Sequence, residues 1–250
     1  MLRDALRDHP LLASPEETHF FRFGEPFGTG AYAQRLIGND TLQLHRRLDG
    51  ISEEEFARLL DSCASKAEFC DAYMRLYMAR RKPEASRWFD KTPQNVYGAA
   101  LILASFPRAR LVHLVRDPLE VAASLRLGRV IRVERLLGAC NYWNEAVDTM
   151  ALLEDAFPER VMTLRYEDLT ADPLPQLRRL LGFVDVPYDP AWFEGFRPAA
   201  SHHAPGSVLS DAELERVRRR CRQGRLRHGY ADRDSDQIGS SPATGQQADS

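Results

Sequence analysis

Lysine is nearly absent from this chain: Lys66, Lys82 and Lys91 are its only occurrences, so 31 of the 34 basic residues are arginine. In so arginine-biased a sequence, a lysine inside a motif marks a place where a compact ammonium is wanted. Cysteine is sparse too. Cys63, Cys70, Cys140 and Cys221 form no C-x-x-C pair, which favours buried free thiols over a metal site or a disulfide scaffold. No apolar run is long enough to span a bilayer, and the N-terminus lacks an apolar signal core, so a cytoplasmic location without a membrane span is expected. A formal charge of −2 and a pI near 6.4 exclude general attraction to nucleic acid or to an anionic membrane.

What is present suffices for a substantial core: 250 residues, 44% hydrophobic and 28% charged, read as one domain over residues 1–230. The last segment, 231–250, has no aromatic and one large aliphatic residue and reads as a disordered tail. The most informative stretch runs from Trp88 to Arg126 and reads as strand, helix, strand, helix. Thr92 caps a helix that Pro93 begins. Val96, Tyr97, Ala100, Leu101 and Ala104 recur at helical spacing, giving one apolar face to lay on a sheet. Leu111–Val115 is an unalternating apolar run, as in a parallel strand covered on both faces. It ends at Arg116, and Asp117-Pro118 opens the next helix.

A strand end meeting a helix start is an anion site, because free N–H groups and the helix dipole both favour a phosphate. Arg116 adds a planar fork of donors. Ser124, about two turns into the helix, adds a hydroxyl if its face turns to the same anion. The plain alternative is an Arg116–Asp117 surface pair and a satisfied helical serine.

With these residues in place the run RDPLEVAASL resembles the 3'-phosphate-binding segment of sulfotransferases that use 3'-phosphoadenosine 5'-phosphosulfate (PAPS). DKTPQNV at 90–96, FPRARLVHLVRDP at 106–118 and RYEDLTADPLPQLRRLLGFVDVP at 165–187 resemble the same family, in its order. HPLLASPEETHFF at 9–21 is similar to a segment of its carbohydrate and bacterial branches. The resemblance implies a three-layer α/β fold with a mainly parallel central sheet, of the P-loop sulfotransferase type. It also implies transfer of a sulfuryl group from PAPS to a hydroxyl acceptor, a small molecule or carbohydrate, with no required metal. No Gly-Lys-Ser or Gly-Lys-Thr occurs, which argues against a P-loop kinase.

Carried onto this chain, the resemblance makes Glu17 the general base, with His19 as another candidate and a pair of solvated loop charges at Glu16-Glu17 as the bland reading. Lys91 then attends the transferring group or the acceptor, unless it is an ordinary surface lysine. Arg116 and Ser124 hold the 3'-phosphate. Tyr166 touches the adenine, or is a structural tyrosine at a strand end.

The family's first strand and its Gly-rich, 5'-phosphosulfate-cradling loop have no counterpart after Met1. Either an upstream extension supplies them, or the chain is an impaired relative that only binds nucleotide or partners. The first is favoured, because losing an interior strand would bare two sheet edges. The loop that closes over the 3'-phosphate in the family corresponds poorly to Ser201-His202-His203-Ala204-Pro205-Gly206-Ser207. Capping patterns open helices at Ser52/Glu55, Ser65/Glu68 and Ser210/Glu213.

Overall fold

The computed structural model describes residues 1–128, 132–198 and 204–230. The expected tail and the residues His202 and His203 lie outside them. In chain order the elements are α1 (Leu2–Asp8), β1 (Leu12–Ala13), α2 (Gly30–Ile37), α3 (Asp40–Asp49), α4 (Glu53–Ser62), α5 (Lys66–Arg81) and β2 (Arg87–Trp88). A 3₁₀ turn, Pro93–Gly98, leads into α6 (Ala99–Ser105), then β3 (Leu111–Val115), α7 (Pro118–Leu127) and α8 (Leu136–Ala156). After β4 (Val161–Arg165) come α9 (Tyr166–Ala171), α10 (Pro173–Phe183), α11 (Asp211–Arg220) and α12 (Arg222–Arg227). No helix among the described residues is long and apolar enough to cross a membrane.

The described residues divide into two compact units, one of Met1–Val115 with 149–198, the other of Arg116–Asp148 with 204–230. The first holds the strands. β1 pairs with β2 and β3 with β4, each pair parallel, so the parallel sheet expected from the sequence is present as two separate two-stranded ladders. Leu6, Leu12, Leu164, Leu169, Leu177 and Leu181 pack α1, α9 and α10 onto the strands. A second, aromatic core joins α2–α5: Phe20, Tyr32, Phe56, Phe69 and Tyr73 are buried together, with Phe20 and Phe69 ring centroids 4.7 Å apart.

The segment after β2 departs from its expected packing. Tyr97 and Leu101 are 52% and 45% exposed, whereas Ala99 and Leu103, on the opposite side, are 3% and 4% exposed and pack on Met150 and Val161. The face read as the buried one is the outer one. The reason is Gly98, whose absent Cβ would come within 2.2 Å of the Phe21 carbonyl oxygen. That close approach turns the small-residue side of the helix inward.

In the second unit, α7 starts where the sequence places it. The Asp117 carboxylate accepts from the Leu119 N–H at 2.8 Å, and Gly128 ends the helix in the left-handed conformation at φ 65°, which only glycine adopts freely. Leu119, Ala122 and Leu125 of α7 are buried, as are Leu214 and Val217 of α11, which packs against α7. The capping boxes at Ser52 and Ser210 form as read. At Ser65 only half of one forms, because Glu68 bonds the Ala64 N–H instead.

Candidate functional site

β1 and β2 run parallel in register, Ala13 opposite Trp88, and the Phe89 N–H donates to the Ala13 carbonyl at 2.9 Å to extend the ladder. Their continuations, Ser14–His19 and Asp90–Asn95, therefore leave the same end of the sheet side by side. Asp90 and Thr92 tie them together. The Thr18 hydroxyl donates to Asp90 at 2.6 Å, Thr92 Oγ1 donates to Asp90 at 2.8 Å, and Asn95 Nδ2 donates to it at 2.7 Å. Thr92 Oγ1 accepts from the Thr18 N–H at 2.9 Å. Thr92 thus does not cap the following turn with its side chain; its hydroxyl joins two loops. Burial pushes the Asp90 carboxyl up, and its three donors oppose that only in part.

Within this frame the adjacent carboxylates Glu16 and Glu17 take different partners, and neither is a solvated loop charge. Glu16 is an anchor, accepting from Arg3 at 2.8 Å and Arg7 at 3.1 Å, while its own N–H donates to Asp49 at 2.9 Å. Arg7 also donates to the Ser14 and Pro15 carbonyls. Glu17 faces the other way. Lys91 Nζ donates to its Oε1, and His19 Nε2 lies 3.6 Å from its Oε2. Burial alone would push the Glu17 carboxyl up; the His19 and Lys91 hydrogen bonds and the charge on both partners outweigh it and hold the group at about 2.

His19 is buried, 7% exposed, and sits in the left-handed region at φ 58°, a conformation rare for a residue with a side chain. Its Nδ1 is buried without a hydrogen-bond partner. His45 brackets the same site: its ring stacks on that of His19 with centroids 6.5 Å apart, and its Nδ1 contacts the Glu17 carbonyl at 2.9 Å. Sequence reasoning gave no role to His45, and no spacing could supply one, because 28 residues separate it from Glu17. Asp90 lay inside a quoted motif but carried no assigned role.

Tyr166 belongs to the same unit. β3 and β4 end level, Val115 opposite Arg165, and Tyr166, half-buried, is the first residue of α9.

In the second unit Arg116 does not pair with Asp117, whose carboxylate caps α7. Its guanidinium instead holds Glu120, Nε donating at 2.7 Å with Nη2 on the same oxygen. Ser124, exposed, lies one turn beyond Glu120 on the same side of α7. Arg116, Glu120 and Ser124 thus form one polar stripe, with a carboxylate already on the arginine fork. The signal for Glu120 was its i,i+4 spacing from Arg116. The chemistry suits an anion at the start of a ten-residue helix, provided that Glu120 yields.

The family model described as the sulfotransferase family matches residues 1–190. The chain belongs to that family. It is 26% identical over 152 residues to a protein-tyrosine sulfotransferase of Drosophila melanogaster, covering 56% of this chain and 30% of the relative. It is 32% identical over 118 residues to an omega-hydroxy-beta-dihydromenaquinone-9 sulfotransferase of Mycobacterium bovis, covering 42% of this chain and 29% of that protein. The chain therefore spans less than a third of the length of these curated relatives. Its fold is similar to that of the sulfotransferase domain of the Synechococcus PCC 7002 olefin synthase, with a TM-score of 0.60 at 22% identity over 87% of this chain and 82% of that one.

Proposed function

We propose that this sulfotransferase-family chain transfers a sulfuryl group from PAPS to a hydroxyl acceptor by in-line displacement. The observation that carries the reading is the Glu17–Lys91 pair at the carboxyl ends of β1 and β2, a carboxylate and an ammonium in direct contact. Lys91 supplies a compact positive charge for the sulfuryl oxygens, as cations do for a transferring phosphoryl group. When Lys91 turns to those oxygens, Glu17 loses one of the two partners that suppress its basicity and keeps His19. Burial, which already favours its protonated form, then makes it a better acceptor for the hydroxyl proton.

Arg116, the first N–H groups of α7 and Ser124 take the 3'-phosphate in this reading, and Tyr166 packs against the adenine. The names of two relatives, one for protein tyrosine and one for an omega-hydroxy compound, support a hydroxyl acceptor here; a small molecule or carbohydrate is what the resemblance of residues 9–21 implies.

The test is a transfer assay with sulfur-labelled PAPS and a panel of sugar, lipid, peptide and small-metabolite hydroxyls. Glu17→Gln is expected to cost roughly 10²- to 10⁴-fold in rate; a variant as active as wild type overturns the base assignment. Calorimetry with adenosine 3',5'-bisphosphate checks the phosphate site separately, and equal affinity for wild type and Arg116→Ala removes it.

A further inference from the structure

Three helix ends meet beside β1. α1 ends with the carbonyls of Arg7 and His9, α3 with those of Leu48 and Asp49, and α5 with the side chains of Arg81 and Lys82. The negative ends of helix dipoles favour cations, and these two clamp the carbonyls. Lys82 Nζ donates to Arg7 at 2.6 Å and to His9 at 2.7 Å. Arg81 donates to Asp49 through Nε at 3.1 Å and to Leu48 through Nη2 at 2.9 Å. Gly50, left-handed at φ 79°, leaves room for that guanidinium, since a Cβ there would lie 2.9 Å from Nη2.

A cavity of about 270 Å³ lies among these ends. Leu12 and Ala13 of β1, 5% and 1% exposed, give it one apolar wall, and Leu48, 57% exposed, another. Tyr77, Arg81 and Lys82 also line it, and each brings a donor that the protein leaves unused. The Tyr77 ring packs on the aromatic core, while its hydroxyl bonds no group among the described residues. Arg81 Nη1 is equally without a partner there, and Lys82 uses two of the three N–H groups of an ammonium. Clamping accounts for the two cations. It does not account for the open Tyr77 hydroxyl or for the space enclosed.

We propose that this cavity binds a small organic acid, a carboxylate on a body about the size of an aromatic ring, at a site separate from Glu17 and Lys91, neither of which lines it. The volume sets the size: an apolar cavity of about 150 Å³ holds benzene, so this one takes a ring with its acid group attached. The carboxylate meets the free edge of the Arg81 guanidinium, the third N–H of Lys82 and the Tyr77 hydroxyl, while the ring lies on Leu12, Ala13 and Leu48.

Two carboxylates line the same cavity, Glu16 and Asp49, and both are already held. Glu16 accepts from Arg3 and Arg7; Asp49, 3% exposed, accepts from the Glu16 N–H and the Tyr73 hydroxyl. Arg7, Arg81 and Lys82 against these two leave the lining one positive charge in excess. Because the Glu16–Asp49 bond anchors the loop that carries Glu17, the ligand also braces that loop from behind.

The experiment titrates the isotope-labelled full chain with benzoate and, separately, with neutral benzamide, following the methyl resonances of Leu12, Ala13 and Leu48. Benzoate is expected to shift all three saturably and to bind about tenfold or more tighter than benzamide, because a charged acceptor gains most from these donors. Arg81→Gln is expected to lose about tenfold in benzoate affinity and Tyr77→Phe a few-fold, whereas Arg116→Ala, on the anion site of α7, keeps it. Equal binding of benzoate and benzamide, three unmoved methyls, wild-type affinity in Tyr77→Phe, or loss of binding in Arg116→Ala overturns the proposal. Should Arg81→Gln fail to fold for want of its clamp, the benzamide comparison and Tyr77→Phe, which keeps the ring, still decide it. Benzoate is also expected to slow hydrogen exchange at the Glu16 amide; unchanged exchange overturns only the bracing of the loop.

Discussion

Lys91 Nζ donates directly to Glu17 Oε1, although 74 residues separate the two in sequence. The pair forms because β1 and β2 are parallel and in register, so the segments leaving them run together. Since the Glu17 carboxyl is held at about 2 against an ordinary 4.5, its ionised form favours the folded state. That contribution is complete above about pH 4.5 and is lost as pH falls towards 2. Lys91→Met removes the ammonium but leaves the burial, so the Glu17 titration is expected to move up. Carboxyl-carbon magnetic resonance on wild type and variant measures it, and an unmoved midpoint would contradict the pairing.

Glu120 competes with any anion for the Arg116 fork. Glu120→Gln removes the competing charge while keeping the size of the side chain, and adenosine 3',5'-bisphosphate is expected to bind several-fold tighter. Calorimetry at two salt concentrations checks this, and the gain should shrink at the higher one. Unchanged or weaker binding would mean that Glu120 helps to present Arg116 rather than block it.

Gly98 meets the Phe21 backbone at a distance that no side chain tolerates. Gly98→Ala is expected to destabilise the fold by about 1–3 kcal/mol, the usual range for overpacking against a surround that cannot yield. Urea unfolding measures the loss, and a variant as stable as wild type would show that the contact is looser than described.

Asp49 anchors the loop that carries Glu16 and Glu17, accepting from the Glu16 N–H at 2.9 Å and from the Tyr73 hydroxyl at 2.7 Å. Burial nevertheless pushes its carboxyl above the usual value, the Tyr73 and Glu16 hydrogen bonds opposing it only in part. The folded state therefore holds that proton more tightly, and this group's contribution to stability falls as pH rises from 3.8 to the raised value. Tyr73→Phe leaves one carboxylate oxygen without its donor and is expected to cost about 1–3 kcal/mol at neutral pH, less in acid. Unfolding at pH 7 and at pH 4 distinguishes the two, and an equal loss at both would exclude the carboxylate as the cause.

Local patterns proved reliable where the physics is local. The Asp117-Pro118 start of α7 and the boxes at Ser52 and Ser210 depend on neighbours within about two turns, so the order of residues carries them. The inverted face of α6 was not legible in that way. Tyr97, Ala100, Leu101 and Ala104 form as regular an apolar stripe as Ala99 and Leu103, and periodicity cannot say which stripe meets the core.

The family resemblance marked Glu17, Lys91 and Tyr166, and a strand end meeting a helix start marked Arg116 and Ser124, before any contact was visible, because motifs are properties of the sequence alone. What Glu17 and Lys91 touch was decided only by the tertiary structure, whereas the Arg116–Glu120 pair is local. Parallel pairing of two short strands set Lys91 on Glu17, and the fold around Glu17 set His19 near its carboxylate and His45 on its carbonyl. Partners so distant in sequence leave no periodic trace, since which loops meet is chosen by the burial of whole elements and not by any residue within them.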